Sequence, residues 1–172
     1  FIGWGNYHNA QTVDFSRAVV GMRGAIGKTG WDYDVVAVSS NSKGTYMFES
    51  FLTDRMAKSL NVVASGSGFA CKDPSGGCIA APALTPDVIA GNLPQAWRNY
   101  VMAPVVGVTK FKENVVTATA TGTLFAVPAG KVRAAFGAEM RRNNIDDTPS
   151  IDSQTGNLYG FTSSSITRGS DK

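Results

Sequence analysis

Charge is scarce in this chain: Asp, Glu, Lys and Arg make up only 17% of its 172 residues, against the ~25% usual in soluble globular proteins. The sixteen basic and thirteen acidic side chains leave +3 without any basic run, which argues against nucleic-acid binding. A single histidine, His8, stands near the first residue, so the Ser-His or Cys-His pairing of nucleophilic catalysis has little to draw on, and no enzymatic function is expected. Long apolar runs are also missing. The longest candidate, Met102 to Val108, is broken by Pro104 and falls far short of the ~18 residues of a spanning helix. Barrel strands are not excluded, because they alternate and keep mean hydropathy near zero. The two cysteines, Cys71 and Cys78, lie seven apart in a stretch rich in Gly, Ser and Pro, too few for a four-ligand zinc site. A local disulfide in an oxidising compartment is the expectation, with two free thiols as the alternative. No cofactor or metal is implied. No charged segment followed by an apolar run precedes a cleavage-like site, so any targeting signal is expected to lie outside the chain, which starts at Phe1.

What is present in abundance is period-two alternation. From Thr12 to Gly27 the even positions Ala18, Val20, Met22 and Ile26 are apolar, while Arg17 and Arg23 fall on odd ones. A short turn over Gly27, Lys28, Thr29 and Gly30 leads to Trp31, Tyr33, Val35 and Ala37, alternating with Asp32, Asp34, Val36 and Val38. The plan recurs further on. Val116, Ala118, Ala120, Gly122 and Leu124 alternate with Thr117, Thr119, Thr121 and Thr123; after a turn at Val127 to Gly130, Val132, Ala134, Phe136, Ala138 and Met140 alternate with Lys131, Arg133, Gly137, Glu139 and Arg141. Strands are expected at about 12–27, 31–47, 112–126 and 131–143, antiparallel within each hairpin. They are longer than the ~5 to 6 residues typical of globular strands, and a tilted membrane strand needs about 9 to 11. Trp31 and Tyr33 beside the short turn suit an interfacial aromatic girdle.

Between the two hairpins lies a long loop, about 48–111, which should hold structure of its own. Phe51 to Val62 reads as a helix, with Leu52, Met56 and Leu60 at fourfold spacing. Thr85, Pro86 and Asp87 read as N-cap, first-turn proline and first-turn acid of a second helix ending near Gly91. After Asp146 the chain is rich in Ser, Thr, Gly and Asp, the composition of a surface loop.

Few motifs carry chemistry. Gly24 to Thr29 ends like a phosphate-binding loop, but Met22 stands where that motif needs Gly, and a strand follows where it needs a helix. Ser67 between Gly66 and Gly68 lacks the outer glycines of a nucleophile elbow and reads as flexible loop. The pairs Asp32/Asp34 and Asp146/Asp147 read as solvated carboxylates. Trp97, Arg98 and Tyr100 form an aromatic and basic cluster in a loop, a composition suited to substrate contact, with a packing anchor as the plainer reading.

The strings Val19 to Gly24, Trp31 to Asp34, Val116 to Gly130 and Gly137 to Arg142 resemble the barrel part of the outer-membrane receptors energised by TonB. Gly137, Ala138, Glu139, Met140 and Arg141 look like that family's GAEYR strand, with Met in place of Tyr. The resemblance spans roughly Thr12 to Thr148. It implies a barrel of 22 strands around an N-terminal plug, importing a siderophore, vitamin or glycan across the outer membrane of a Gram-negative cell. The chain departs from the family in having no plug, no TonB-contacting segment and no aromatic-ended last strand. The expected fold class is therefore mainly β: antiparallel long hairpins from a transmembrane β-barrel, with short helices in a long loop, residues 1–172 forming part of the barrel domain.

The partners implied are the TonB energising complex, acting through a plug absent from this chain, a small-molecule or glycan substrate, and outer-membrane lipid, with no nucleic acid. Apolar strand faces should meet lipid, and Arg17, Arg23, Thr119, Arg133, Glu139 and Arg141 should point into the lumen. Self-association through open edges is a further expectation for an isolated piece. The alternative is a soluble β-rich ligand-binding module whose apolar faces pack on each other.

Overall fold

The computed structural model describes Trp4 and residues 7–171. A first hairpin is made by β1 (Asn9–Ala25) and β2 (Trp31–Phe51). Then come α1 (Thr53–Leu60), a small hairpin of β3 (Val62–Ser65) and β4 (Gly68–Cys71), a 3-10 turn at Ser75–Gly77, α2 (Pro86–Ile89) and α3 (Gln95–Val101). β5 (Met102–Val127) and β6 (Gly130–Thr148) form the second long hairpin, followed by α4 (Ile151–Thr155) and β7 (Thr167–Asp171). The protein is mainly β, and its long strands form one antiparallel sheet in the order β1–β2–β5–β6–β7. That sheet is open and does not close into a barrel.

The short turns follow from their residues. Gly27 and Gly30 take positive φ, 58° and 74°, where a Cβ would be strained. The Ile26 N–H donates to the Trp31 carbonyl at 2.7 Å, and Thr29 Oγ1 donates to the Ile26 carbonyl at 2.6 Å. At the other hairpin Pro128 enters the turn and Gly130, with φ 139°, leaves it.

The four expected strands are the four long strands, with different ends: β1 starts at Asn9 but stops at Ala25, short of the expected residue 27, and the other three run further than the alternation indicated. β2 continues to Phe51, β5 starts at Met102, and β6 reaches Thr148, which corrects the expected loop at about 48–111. The start of β5 was hidden by Pro104, which has no N–H to donate, and by Gly107; both weaken a strand pattern. Yet Val105 is 1% exposed and belongs to the core. Likewise the segment after Asp146 is more than surface loop. Ser150 caps α4 by accepting from the Ser153 N–H at 3.1 Å, and β7 pairs with β6, Asp146 opposite Arg168.

The chain divides into two compact units. One comprises Val13–Gly44, Thr109–Asp147 and Thr167–Lys172, and is built from sheet. The other comprises Phe1–Thr12, Thr45–Val108 and Thr148–Ile166 and carries the helices. Its core gathers Leu52, Val105 and Leu158, with Phe48 and Ala103 packed against them. Val101 is wholly inaccessible, and burying an aliphatic side chain of this size stabilises by about 1.5–3 kcal/mol.

α1 presents a different face from the one its apolar spacing suggested. Leu60 is 63% exposed while Ser59 is fully buried, because Ser59 Oγ donates to the Ile79 carbonyl at 2.8 Å and accepts from the Trp97 indole N–H. A buried hydroxyl with both partners in place costs little. Residues 85–91 match their caps: Thr85 Oγ1 accepts from the Val88 N–H at 3.2 Å, and Gly91 takes φ 108°. Ser67 sits at the tip of the β3–β4 hairpin, whose turn uses Gly66 at φ 58°. A disulfide joins Cys71 to Cys78, Cα atoms 6.2 Å apart.

Candidate functional site

The sheet unit has two chemically distinct faces. On one, Tyr33 lies over Gly24, Trp31 covers Gly122, and Trp31 stacks on Phe136 with ring centroids 5.7 Å apart and planes 14° from parallel. Because side chains alternate along a strand, these contacts put Ala18, Val20, Met22, Val35, Val116, Ala118, Leu124, Ala134 and Met140 on that same face. Its large residues are open to solvent: Met22 is 65% exposed, Phe136 61% and Met140 77%. The apolar stretch is nine residues long on β5 and β6, Val116 to Leu124 and Val132 to Met140, and beside them it runs from Ala18 on β1 to Ile26 at the turn. That is the length of a tilted membrane strand, about 9 to 11 residues.

The opposite face carries the charged and hydroxyl groups, interspersed with exposed apolar ones such as Phe15 at 63% and Val19 at 60%. Arg141 pairs with Glu113 at 3.3 Å and with Glu139 at 3.1 Å, and Thr117 Oγ1 lies 3.5 Å from Glu139. Arg23, Asp32, Asp34, Thr119 and Thr121 line a shallow cleft of about 290 Å³. Alternation places Arg17 and Arg133 on this face as well.

The second unit holds the residues singled out for substrate contact, and it separates them. Trp97, Arg98 and Tyr100 lie in α3, where a loop was expected. At 100° per residue, Trp97 and Val101 face inward while Arg98 and Tyr100 fall on opposite flanks. Trp97 is 4% exposed and stacks on Trp4 at 5.2 Å, which makes it a packing anchor. The Tyr100 carbonyl accepts from Arg55 Nη1 at 3.1 Å, and the Arg55 guanidinium lies 5.9 Å from the Tyr100 ring. Arg98 borders a small cleft with Glu49, Gln95 and Asn99.

A stronger candidate for ligand contact in that unit lies elsewhere. Tyr7, Phe48, Phe51, Tyr159 and Phe161 line a cleft of about 720 Å³. Phe48 and Phe161 meet at 5.6 Å and Tyr7 meets Phe51 edge-on at 6.4 Å, while Tyr159 keeps 66% of its surface exposed. His8 and Glu49 are paired at 3.6 Å, and Glu49 lines the cleft. Flat aromatic faces beside a carboxylate suit stacking on a ring with hydroxyl or amine substituents. Sequence reading missed this cleft because its residues come from three segments, two of them over a hundred residues apart.

One loop carboxyl is electrostatically tuned. A hydrogen bond with the Ser75 side chain, then the Ser75 N–H at 2.9 Å and Lys58 at 3.2 Å, lower the Asp73 pKa to about 2.

No protein-family model matches the chain, and no curated protein matches it.

Proposed function

We propose that this chain is part of the barrel wall of an outer-membrane receptor that takes up a scarce nutrient, energised by TonB through a plug carried elsewhere in the polypeptide. The observation that carries the reading is the sheet unit's continuous, solvent-exposed apolar face, nine residues tall on β5 and β6 and edged by Trp31 and Tyr33, backed by a face that holds the Arg, Glu and Thr side chains. A sandwich sheet that turns its apolar face to a second sheet has no need of a fixed band height or of aromatics gathered at one border, whereas a lipid-facing wall does. Membrane barrels have at least about eight strands, so the open edges of β1 and β7 would be continued by further strands of the same protein. The face bearing Arg23, Glu139 and Thr119 would then line the lumen, and the aromatic cleft around Tyr159 and Phe161 would contact the siderophore, vitamin or glycan.

Membrane partitioning of the complete polypeptide tests the reading. It should stay with outer membranes through alkaline extraction and need detergent for release. Ala120→Arg, at the middle of the band, should lower its stability by about 2–4 kcal/mol, the cost of a basic side chain near the bilayer midplane, while Thr119→Arg on the other face should be tolerated. Tyr159→Ala with Phe161→Ala should weaken energised uptake without reducing the amount of protein in the membrane. Recovery of the complete protein from the aqueous fraction would replace this reading with that of a soluble β-rich ligand-binding module.

A further inference from the structure

The apolar face does not run the whole length of its strands. Past Ala18 and Val116, away from the short turns, the same face becomes charged, and its residues line a cleft of about 860 Å³ that includes Asp14, Lys43, Lys110, Lys112, Asp146 and Arg168.

Contacts between neighbouring strands fix how these residues line up. Ser39 hydrogen-bonds Asn114 at 2.8 Å, and a Cβ on Gly44 would touch the Thr109 carbonyl at 3.9 Å and Val13 at 4.0 Å. Position 43 therefore lies across from 110 and beside 14. Thr109 hydrogen-bonds Asp147, so 110 neighbours 146 on the next strand. Asp146 is opposite Arg168 and paired with it at 3.2 Å. A cross-strand row thus reads Asp14, Lys43, Lys110, Asp146, Arg168, with Lys112 one step nearer the apolar band.

The row has a surplus of positive charge in its middle. Lys43 and Lys110 face each other directly, a like-charge pairing that disfavours the sheet unless an anion screens it. Among the described residues no salt bridge reaches Lys43, Lys110 or Lys112: of the two carboxylates in the row, Asp14 stands beside Lys43 without a salt bridge to it and Asp146 is engaged by Arg168, so four cations face two anions. Lys112 and Val116 are four positions apart, about 13 Å of strand, a distance that flexible lysine stems shorten by reaching along the surface.

We propose that Lys43, Lys110 and Lys112 bind the phosphate groups of a phosphorylated amphiphile whose acyl chains lie on the apolar band below them. The site rests on the lipid-facing reading of that band and adds a chemical preference to it. Charge complementarity selects the phosphate, and the continuity of the cationic row with the exposed band selects an amphiphile over a free anion, which would gain nothing from Val20, Val116 or Met140. Three ammonium groups within one cleft favour a phosphate monoester, which carries more than one negative charge at neutral pH, over a zwitterionic headgroup.

Sedimentation of the full chain with two kinds of vesicle tests the site: phosphatidylcholine alone, and phosphatidylcholine doped with one-tenth phosphatidic acid. The wild type should bind the doped vesicles about tenfold or more tightly, and raised salt should shrink the gain. The triple variant Lys43→Gln, Lys110→Gln, Lys112→Gln should bind neutral vesicles as the wild type does and lose the gain. Replacing the same three by Arg should keep it, as should removing three distant charges with Lys28→Gln, Lys72→Gln and Lys131→Gln. Equal preference for doped vesicles in the Gln triple variant and the wild type overturns the site while leaving the lipid-facing band intact. Inorganic phosphate that binds the chain as tightly as the doped vesicles overturns the amphiphile in favour of a free anion. Failure to bind either vesicle overturns the site and the lipid-facing reading together.

Discussion

Gly122 lies beneath an indole, and replacing it should unseat that ring. A Cβ built at this position would lie 2.6 Å from Trp31 Cε2 and nearer still to two other ring atoms, well inside any real carbon contact. Trp31 is itself held by stacking on Phe136, so the ring has to leave Phe136 or the backbone has to move. Loss of an aromatic pair costs about 0.5–1.5 kcal/mol, and forcing extra volume into a packed site about 1–3 kcal/mol. Alanine returns roughly 0.5–1 kcal/mol by restricting the unfolded chain. Gly122→Ala should therefore destabilise by about 1–3 kcal/mol, measured by urea unfolding in detergent micelles and followed by far-ultraviolet circular dichroism. A double-mutant cycle isolates the cause. In a Trp31→Ala background the same glycine substitution should cost nothing or stabilise slightly, a coupling of about 1–3 kcal/mol. Additive effects in the double variant, or a single-variant loss under 0.5 kcal/mol (about a 2.3-fold change in the equilibrium), would refute the packing of Trp31 over Gly122.

Ser59→Ala should cost about 1–3 kcal/mol, because it strands the buried Trp97 indole N–H and the Ile79 carbonyl; thermal unfolding of the variant measures it, and Ser59→Thr should recover part of the loss if the larger side chain fits. Reducing the Cys71–Cys78 disulfide should remove no more than about 2–3 kcal/mol, since it closes a short loop; denaturant midpoints with and without reductant give the value, and thiol titration of oxidised, unfolded protein should find no free thiol. The lowered pKa of Asp73 means that its carboxylate supports the folded loop fully above about pH 4 and loses that contribution as pH falls towards about 2. Protection of the Ser75 amide, its exchange rate relative to the intrinsic rate at each pH, should fall over that window, and Asp73→Asn should abolish that change.

The long strands were legible because alternation is a property of the backbone: once one residue of a strand faces apolar surroundings, every second one does. Thus Val20, Met22, Val116 and Phe136 could be put on one face without knowing the neighbours of any strand. The order of strands was not legible. Nothing local in Trp31 or Gly122 says that an indole from β2 lies over a glycine of β5, and the adjacency of the two hairpins rests on such long-range fits. The helical segments were read where caps are local, as at Thr85 and Pro86, and missed where packing decides, as at Gln95 to Val101. Trp97 illustrates the same limit. Its composition suits an exposed contact residue, but its Nε1 finds Ser59 in another helix, and that partner turns it inward. The aromatic cleft was invisible for a related reason: Tyr7, Phe51 and Tyr159 meet only after the chain has folded back on itself twice.

The segment between β2 and β5 begins and ends in one place: the Leu52 N–H donates to the Val101 carbonyl at 2.9 Å. Some fifty residues with their own helices, hairpin and disulfide therefore leave the sheet and return to it across a single hydrogen bond. An insertion whose ends meet makes no demand on the register of the strands that carry it. It is an exchangeable cassette: residues 53–100 could lengthen, shrink or be traded for a different fold while Ser39 still met Asn114 and Trp31 still covered Gly122. The sheet must keep its alternation to keep its two faces distinct, but the cassette is under no such rule, so variation can accumulate there at little structural cost.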